Sequence, residues 1–226
     1  VLRHSYEHRG ELNDAWIGAL LAQEPRTPSK RWLEAIPLQG DGLRLRALRD
    51  DDVPRIVEAC SDERTQHWLG QMPSPYTADD AQTWLELNTE GQATGTKVTW
   101  AIADPDTDLL LGVINIFDIG PVNAEIGYWA HPEARGRGVM RAAMRLTTQH
   151  AFIGLGLARI RAFAALDNAA SRHVIEAVGL KQTGVERLGT TLRTGPADVA
   201  IYDVLAEEWA TLPTSSPTAS SVSERR

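Results

Sequence analysis

Hydrophobic and polar positions follow two periods along this chain, one typical of strands and one typical of helices. Alternating or continuously apolar segments predict strands at 43–47, 98–103, 109–119, 122–130, 158–164, 181–192 and 198–207. Apolar residues three and four positions apart predict helices at about 52–60, 77–88, 137–153 and 168–178. Because antiparallel strands come first and helices then cover the sheet, we predict a single mixed α/β (α+β) domain over this part of the chain.

A glycine-rich turn stands between the strand at 122–130 and the helix that follows it. Residues 131–140 read His-Pro-Glu-Ala-Arg-Gly-Arg-Gly-Val-Met. Such a turn leaves the first backbone N–H groups of the helix unpaired at the positive end of its dipole. Gly136 and Gly138 have no Cβ, so a ligand can approach the backbone closely. Positive charge is added by Arg135, Arg137, Arg141 and Arg145. The pattern indicates a pyrophosphate site; the alternative is a basic helix cap without a ligand.

Two other phosphate-binding loops do not fit this turn. No Lys followed by Ser or Thr comes after the glycines, which argues against a nucleoside triphosphate loop. Arg141 stands where the dinucleotide fingerprint has its third glycine. The class of ligand therefore has to be inferred from other segments of the chain.

Three segments resemble, in order, the motifs of one known family. Arg135-x-x-Gly138-x-Met140 is similar to the Arg/Gln-x-x-Gly-x-Gly/Ala signature of the GNAT superfamily, the acetyl-CoA-dependent N-acyltransferases. Residues 168–180, Asn-Ala-Ala-Ser-Arg-His-Val-Ile-Glu-Ala-Val-Gly-Leu, resemble its second motif. Residues 124–129, Ala-Glu-Ile-Gly-Tyr-Trp, resemble the strand before the cofactor loop in the RimJ/RimL branch, which acetylates protein N-termini and other amines. The resemblance covers about residues 42–209.

The resemblance implies the GNAT fold, with a central mixed, mainly antiparallel sheet flanked by helices, and acetyl-CoA as the cosubstrate. It implies that strand backbone bonds the pantetheine arm and that the loop holds the diphosphate. The implied cofactor-binding residues are Trp129, Ala130, His131, Arg135, Gly136, Arg137, Gly138, Val139, Met140, Asn168 and Ser171. Met140 departs from the family, which prefers Gly or Ala there. Its long side chain either crowds the diphosphate or points along the helix without effect.

Glu125 and Ser171 are the catalytic residues that the resemblance implies. An attacking amine must lose a proton, and Glu125, on the strand expected to line the acyl site, is the candidate base. The alternative is a structural carboxylate paired with an arginine. Ser171 is expected to protonate or hydrogen-bond the departing thiolate, or else to bond locally in the first helical turn. Asn168 is expected to cap that helix and to bond the pantetheine arm. Other branches use a tyrosine as the acid where this chain has Ile175, so we exclude that mechanism.

Composition and charge narrow the class of protein. The formal net charge of −7 argues against a general binder of nucleic acids or anionic membranes. No run of 18 apolar residues is present, so we expect no membrane span. The single cysteine, Cys60, excludes an intrachain disulfide and fits a reducing compartment, so we expect a cytoplasmic protein. The histidines and the cysteine show no metal-ligand spacing, so we expect no metal. A homodimer is left open.

The two ends of the chain resemble each other. Residues 1–24 align without gaps with 185–208, with eight identities at a constant offset. We therefore predict that 1–24 is a strand pair from a preceding GNAT repeat; the alternative is an unrelated N-terminal extension. The remaining predicted boundaries are a linker at 25–41, the acetyltransferase domain at 42–211 and a disordered tail at 212–226.

The sequence thus predicts an N-acetyltransferase that moves an acetyl group from acetyl-CoA to a primary amine by direct attack. The amine is expected to be a protein N-terminus or a small amine. One alternative is an antibiotic-type small-molecule acetyltransferase. Another is a non-catalytic acyl-CoA-binding or regulatory GNAT module, because Met140 departs from the signature and one copy of a repeat often loses activity.

Overall fold

The structure, a computed structural model, describes residues 32–212 and, ahead of them, the backbone of two strands, β1 (Leu2–His8) and β2 (Glu11–Ala15). These strands pair antiparallel and belong to a compact unit, residues 1–31, separate from residues 32–226. That this unit derives from a preceding repeat stays a prediction. The rest of the predicted linker up to residue 31, and the tail from residue 213, lie outside the described residues.

All the strands and helices predicted for residues 32–212 are present. The strands are β3 (Leu38–Gly40), β4 (Leu43–Arg46), β5 (Lys97–Ala103), β6 (Leu110–Phe117), β7 (Asn123–Ala130), β8 (Arg159–Ala165), β9 (Lys181–Leu192) and β10 (Gly195–Leu205). The helices are α1 (Val53–Ser61), α2 (Glu63–Trp68), α3 (Ala78–Ala93), α4 (Val139–Ile153), α5 (Ala169–Val178) and α6 (Ala206–Trp209). Short 3-10 turns lie at Asp50–Asp52 and Pro132–Ala134.

The eight strands from β3 onward form one sheet in the order β3-β4-β5-β6-β7-β8-β10-β9. Neighbouring strands run antiparallel, except that β7 and β8 are parallel. Parallel neighbours require a long crossover, and α4 supplies it. The predicted mixed, mainly antiparallel sheet flanked by helices is confirmed.

The two faces of the sheet are covered by different helices. On one face α4 and α5 pack on a large apolar cluster that includes Ile126, Met144 and Ile160. On the other face α1 and α3 pack on a smaller cluster that includes Ile56 and Leu85. Successive side chains of a strand point to opposite faces, so a strand that borders an opening presents different residues to each side.

Two elements differ from the sequence prediction. The sheet begins inside the predicted linker, because β3 pairs with β4 and Leu33 is buried in the core. Helix α2 was not predicted, because six residues are too few to show a helical period. It begins where the carboxylate of Asp62 accepts the backbone N–H of Thr65 at 2.9 Å, which is a helix N-cap.

A buried ion network joins the first strands to α1. The guanidinium of Arg46 donates to both oxygens of Asp52, at 2.8 Å each, and to Asp108 at 2.9 Å. The side chains of Arg46 and Asp52 are 7% and 5% exposed. Asp108 also accepts from Arg44 and Arg49. Burial by itself raises the pKa of Asp108, but its three arginine partners outweigh burial and lower that pKa to about 2.

Replacing Arg46 with methionine is expected to lower the free energy of unfolding by about 3 to 5 kcal/mol, because Asp52 is left buried without its partner. Arg49→Met removes an exposed partner of the same network and is expected to cost less than about 1 kcal/mol. Urea unfolding of both variants measures the difference. Equal losses would contradict the account of a buried network.

Candidate active site

Strands β7 and β8 pair over three residues and then separate. Asn123, Ala124 and Glu125 of β7 lie opposite 159–161 of β8, and no further pair joins the two strands among the described residues. Beyond Glu125, β7 continues to Ala130 with β6 as its partner, and β8 continues with β10. The backbone of β7 after Glu125 therefore has one side free to bond another chain or a ligand.

A cleft of about 1030 Å³ lies at this separation. One part is lined by β7, the glycine turn and the first turns of α4 and α5. Another part is lined by α2 and β9. The predicted site residues along it are Glu125, Trp129, Ala130, Arg135, Gly136, Gly138, Val139, Met140, Asn168 and Ser171.

The glycine turn presents a row of free amides. Gly136 and Gly138 have φ of 73° and 76°, in the left-handed region that glycine adopts without strain. A Cβ built on either glycine would meet nothing within 4 Å, so the space above the turn is open. Among the described residues, no hydrogen bond is made by the backbone N–H groups of residues 136–141; the first comes from Ala142, which donates to Gly138. These amides and the helix dipole suit a diphosphate.

Arg135 is already paired. Its guanidinium donates to the carboxylate of Asp62 at 2.5 Å and to the hydroxyl of Thr65 at 2.8 Å. Both partners belong to α2 and its cap, and α2 lines another part of the cleft. The positive charge of Arg135, expected to lie beside the diphosphate, is therefore compensated by Asp62 in this structure.

The three other arginines of this region differ from one another. Arg145 is paired with Asp41 at 2.5 Å. Arg137 and Arg141 make no ion pair with the residues that the structure describes. The free positive charge beside the turn therefore comes from two arginines.

Met140 packs downward into the core. It is 8% exposed and belongs to the cluster beneath α4. A Cβ built on Gly112 of β6 would lie 2.9 Å from the terminal methyl of Met140. The missing side chain of Gly112 therefore leaves room for the methionine on the core side of the helix.

Glu125 lies on the face of the sheet that α1 and α3 cover. Trp129, four residues along β7, packs on the cluster of that face, so Glu125 shares it by the alternation of the strand. The carboxylate of Glu125 makes no hydrogen bond or ion pair with the described residues. Burial raises its pKa to about 7, although the positive charge of Arg161 opposes the shift; Asp118 adds to it. A carboxyl group with this pKa exchanges a proton near neutrality.

Ser171 lies on the opposite face, in the first turn of α5. Asn168 caps that helix by accepting the backbone N–H of Ser171 at 3.1 Å, as predicted. The hydroxyl of Ser171 lies 2.9 Å from the hydroxyl of Tyr128 in β7. Burial raises the pKa of Tyr128 to about 12, although the hydrogen bond with Ser171 opposes the shift. Tyr128 therefore keeps its proton at neutral pH.

His131 does not line the cleft. Its backbone N–H donates to the carbonyl of Leu111 at 2.9 Å, and its buried ring contacts Arg55 and Glu58. The backbone of His131 was expected to bond pantetheine, and its N–H is engaged within the sheet. Arg137 is exposed beside the cleft and is not part of its lining.

Sequence reasoning did not single out Tyr128. The signal was available, since Ala124 and Ile126 are apolar and alternation places Tyr128 on their face, toward the helix that begins after Asn168.

Comparison with known proteins identifies the family. A model described as "Acetyltransferase (GNAT) domain" matches residues 42–181. The chain belongs to the GNAT acetyltransferase family. A Bacillus subtilis (strain 168) protein named "Putative ribosomal N-acetyltransferase YdaF" is 30% identical over 171 residues, which are 74% of this chain and 93% of the relative. The recognition made from the three motifs is thereby confirmed.

Solved structures share the fold. Mycobacterium smegmatis RimJ, in complex with CoA-disulfide, superposes with a TM-score of 0.69 at 22% identity, over 79% of this chain and 88% of its own. A GCN5-related N-acetyltransferase from Brucella melitensis superposes with a TM-score of 0.68 at 24% identity, over 80% and 83%. At these identities the likeness concerns the fold.

The chain is an acetyl-CoA-dependent N-acetyltransferase by its family, and the cleft fits that cosubstrate. The free amides of residues 136–141 match a diphosphate, and the unpaired side of β7 matches an amide-containing arm. Within residues 32–212, no helix is long and apolar enough to cross a bilayer. No group of three or more potential metal ligands was found in the described part of the chain.

Changing Glu125 to glutamine is expected to stabilise the protein at pH 8 by about 2 kcal/mol, because the folded state no longer holds a partly buried charge. The pKa of Glu125 rises on folding, from 4.5 to about 7. The cost of charging it is therefore absent below pH 4.5 and fully present above pH 7. Thermal unfolding at pH 4.5 and pH 8 measures the difference. Glu133→Gln, an exposed control paired with Arg55, should give no stabilisation at pH 8.

Proposed function

We propose that this enzyme acetylates the amino terminus of a protein by direct attack of the amine, with Glu125 as the base and Ser171 as the donor to the departing sulfur. Bound acetyl-CoA supplies the activated acetyl group. The observation that carries the proposal is the separation of β7 from β8, which opens a passage between the two faces of the sheet. Glu125 borders it on one face, and Tyr128 with Ser171 on the other.

Glu125 receives the proton of the attacking amine. Its pKa of about 7 leaves a large fraction as carboxylate at neutral pH, while its basicity exceeds that of an exposed glutamate. Because the carboxylate has no hydrogen-bonding partner among the described residues, its oxygens are free to accept from the amine or from a bridging water. The alternative of a structural ion pair with an arginine has less support, since Arg161 is paired with Asp118 at 3.1 Å.

Ser171 and Tyr128 act together on the other face. The backbone N–H of Ser171 is held by Asn168, which fixes the place of Ser171 in the first turn of α5. The two hydroxyls lie 2.9 Å apart and either can be the donor, and the Tyr128 hydroxyl also lies 3.2 Å from the backbone carbonyl of Ser171. In the proposed reaction Tyr128 donates to the hydroxyl oxygen of Ser171, and the serine proton bonds the sulfur. Because Tyr128 keeps its own proton, this pair can lower the energy of a departing thiolate.

The remaining cofactor contacts belong to the backbone. The amides of 136–141 bind the diphosphate, and backbone groups of Ala130 bond the pantetheine arm. Trp129 is paired with Val113 and, like His131, directs its backbone groups to β6, so it contributes to the cleft as a lining residue. Asn168 adds a side-chain contact to that arm, and the exposed cations of Arg137 and Arg141 add charge. His131 is left out, because its amide is already bonded to Leu111.

The identity of the acceptor is supported by the relatives. YdaF carries the name of a ribosomal N-acetyltransferase, and RimJ shares the fold. The acceptor side of the cleft is formed by α2 and β9 and carries Arg64, Trp68 and Glu186. The acidic chain, with a net charge of −7, suits an acceptor that arrives as a cation.

The rate of acetyl transfer should depend on pH through Glu125. We expect kcat/KM to rise with pH through an apparent pKa near 7, because the base must be deprotonated. Glu125→Gln should lower kcat/KM by about 10² to 10⁴ and remove this limb of the profile. A Glu125→Gln variant that keeps both the rate and the limb would rule out Glu125 as the base.

Removing the hydroxyl of Ser171 or that of Tyr128 should slow the reaction without weakening CoA binding. We expect Ser171→Ala to lower kcat by about tenfold to a hundredfold, and Tyr128→Phe by less, because Tyr128 acts through Ser171. The double variant should be no slower than Ser171→Ala. Steady-state kinetics of the three variants test this, and fully additive losses would show that the hydroxyls act separately.

The acceptor is tested with matched amines. Purified protein and radiolabelled acetyl-CoA are mixed with ten-residue peptides that have free amino termini, with the same peptides blocked at the terminus, and with a polyamine and an aminoglycoside. Transfer confined to free termini is expected. Transfer confined to the small amines would favour the antibiotic-type alternative. CoA binding by calorimetry without transfer to any amine would favour a non-catalytic module.

A further inference from the structure

Helix α2 is held at its start by the cofactor loop. The guanidinium of Arg135 donates to Asp62 at 2.5 Å and to the hydroxyl of Thr65 at 2.8 Å. The same carboxylate caps α2 by accepting the backbone N–H of Thr65 at 2.9 Å. Every hydrogen bond that the Arg135 side chain makes among the described residues goes to α2 and its cap. The loop that begins the cofactor signature is thus joined to the acceptor side of the cleft.

The other end of α2 is held by the hairpin of β9 and β10. The side chain of Arg193 donates to Gln66 and, at 2.9 Å, to the carbonyl of Met72. A Cβ built on Gly70 would lie 2.4 Å from the carbonyl carbon of Leu192, so the two backbones touch directly. Helix α2 therefore bridges two walls of the cleft.

Helix α2 depends on the contacts at its two ends, because it is too short to be stable in isolation. A six-residue helix is unstable in isolation, since nucleation costs more than its few hydrogen bonds return. Thr65 and Trp68 of this helix, with Leu69 after it, line the cleft. The positions of these side chains therefore depend on the bonds at the two ends.

We propose that Arg135 is a positioning residue for the acceptor amine: through Asp62 and Thr65 it fixes α2, and it is not a ligand of the diphosphate. The inference rests on the proposed function, because it assigns one of the motif residues to the second substrate. The negative charge of Asp62 compensates Arg135, whereas Arg141, in the first turn of α4 after the loop, forms no ion pair with the described residues. The diphosphate is held by the amides of 136–141 and by the free arginines.

Four variants separate the two roles: Arg135→Gln, Asp62→Asn, the double variant, and Arg141→Gln, in the first turn of α4, as the matched control. Asparagine caps helices as well as aspartate, so Asp62→Asn removes the charge and keeps the cap. Calorimetry gives Kd for CoA, steady-state kinetics give KM for the fastest free-terminus peptide, and hydrogen exchange reports the amides of 63–68.

Loss of the charged bond should raise the peptide KM by about tenfold in Arg135→Gln and Asp62→Asn, with Kd for CoA unchanged within about twofold. The double variant should match the single ones, and exchange across 63–68 should be faster in all three. Arg141→Gln should instead raise Kd for CoA by about tenfold and leave exchange in α2 unchanged.

The inference would be overturned if Arg135→Gln weakened CoA binding as much as Arg141→Gln does, while the peptide KM and the hydrogen exchange of α2 stayed unaltered. Failure of the proposed function looks different, because wild-type protein would then bind no CoA or transfer to no amine. The exchange measurement decides the role of Arg135 even then, since it needs neither substrate.

Discussion

The site depends on the short pairing between strands β7 and β8. Three residue pairs join these parallel strands, and the sheet then opens although both strands continue with their other neighbours. A longer pairing would consume the backbone groups of β7 and close the passage between the two faces. Because strand side chains alternate, the same opening gives Glu125 to one face and Tyr128 to the other. The proposed base and the proposed thiolate donor are thereby set on opposite sides of one gap.

Beside this opening, the cofactor loop presents backbone N–H groups instead of side chains. Left-handed glycines turn the chain so that the amides of 136–141 stay unpaired at the start of α4. This explains why Met140 is tolerated at a position where the family prefers a small residue. Its side chain fills space above Gly112, on the core side of the helix. The backbone amides of the loop thus stay open, while the side chain of Met140 packs in the core and that of Arg135 bonds the neighbouring helix.

Much of this arrangement was predictable from the sequence, because the strands and helices from residue 43 onward show clear periods and the loop combines glycines with a helix start. The N-cap of α5 at Asn168 and the order of the strands and helices follow from the residue types in each local segment. Helix α2 was not predictable, since a short helix is fixed by contacts with residues far along the chain, Arg135 and Arg193. The bond between Tyr128 and Ser171 likewise arises from packing, and the partner of Arg135 cannot be inferred from a motif that specifies only arginine or glutamine at its position.

The central claim is that free backbone amides after Ala134 hold the diphosphate of the cosubstrate. Hydrogen exchange of residues 136–141, followed by mass spectrometry or NMR with and without saturating CoA, measures this directly. The account predicts strong slowing of exchange at these amides with CoA and much less with pantetheine, which lacks the diphosphate. Unchanged exchange at 136–141 in protein that calorimetry shows to be saturated with CoA would contradict it.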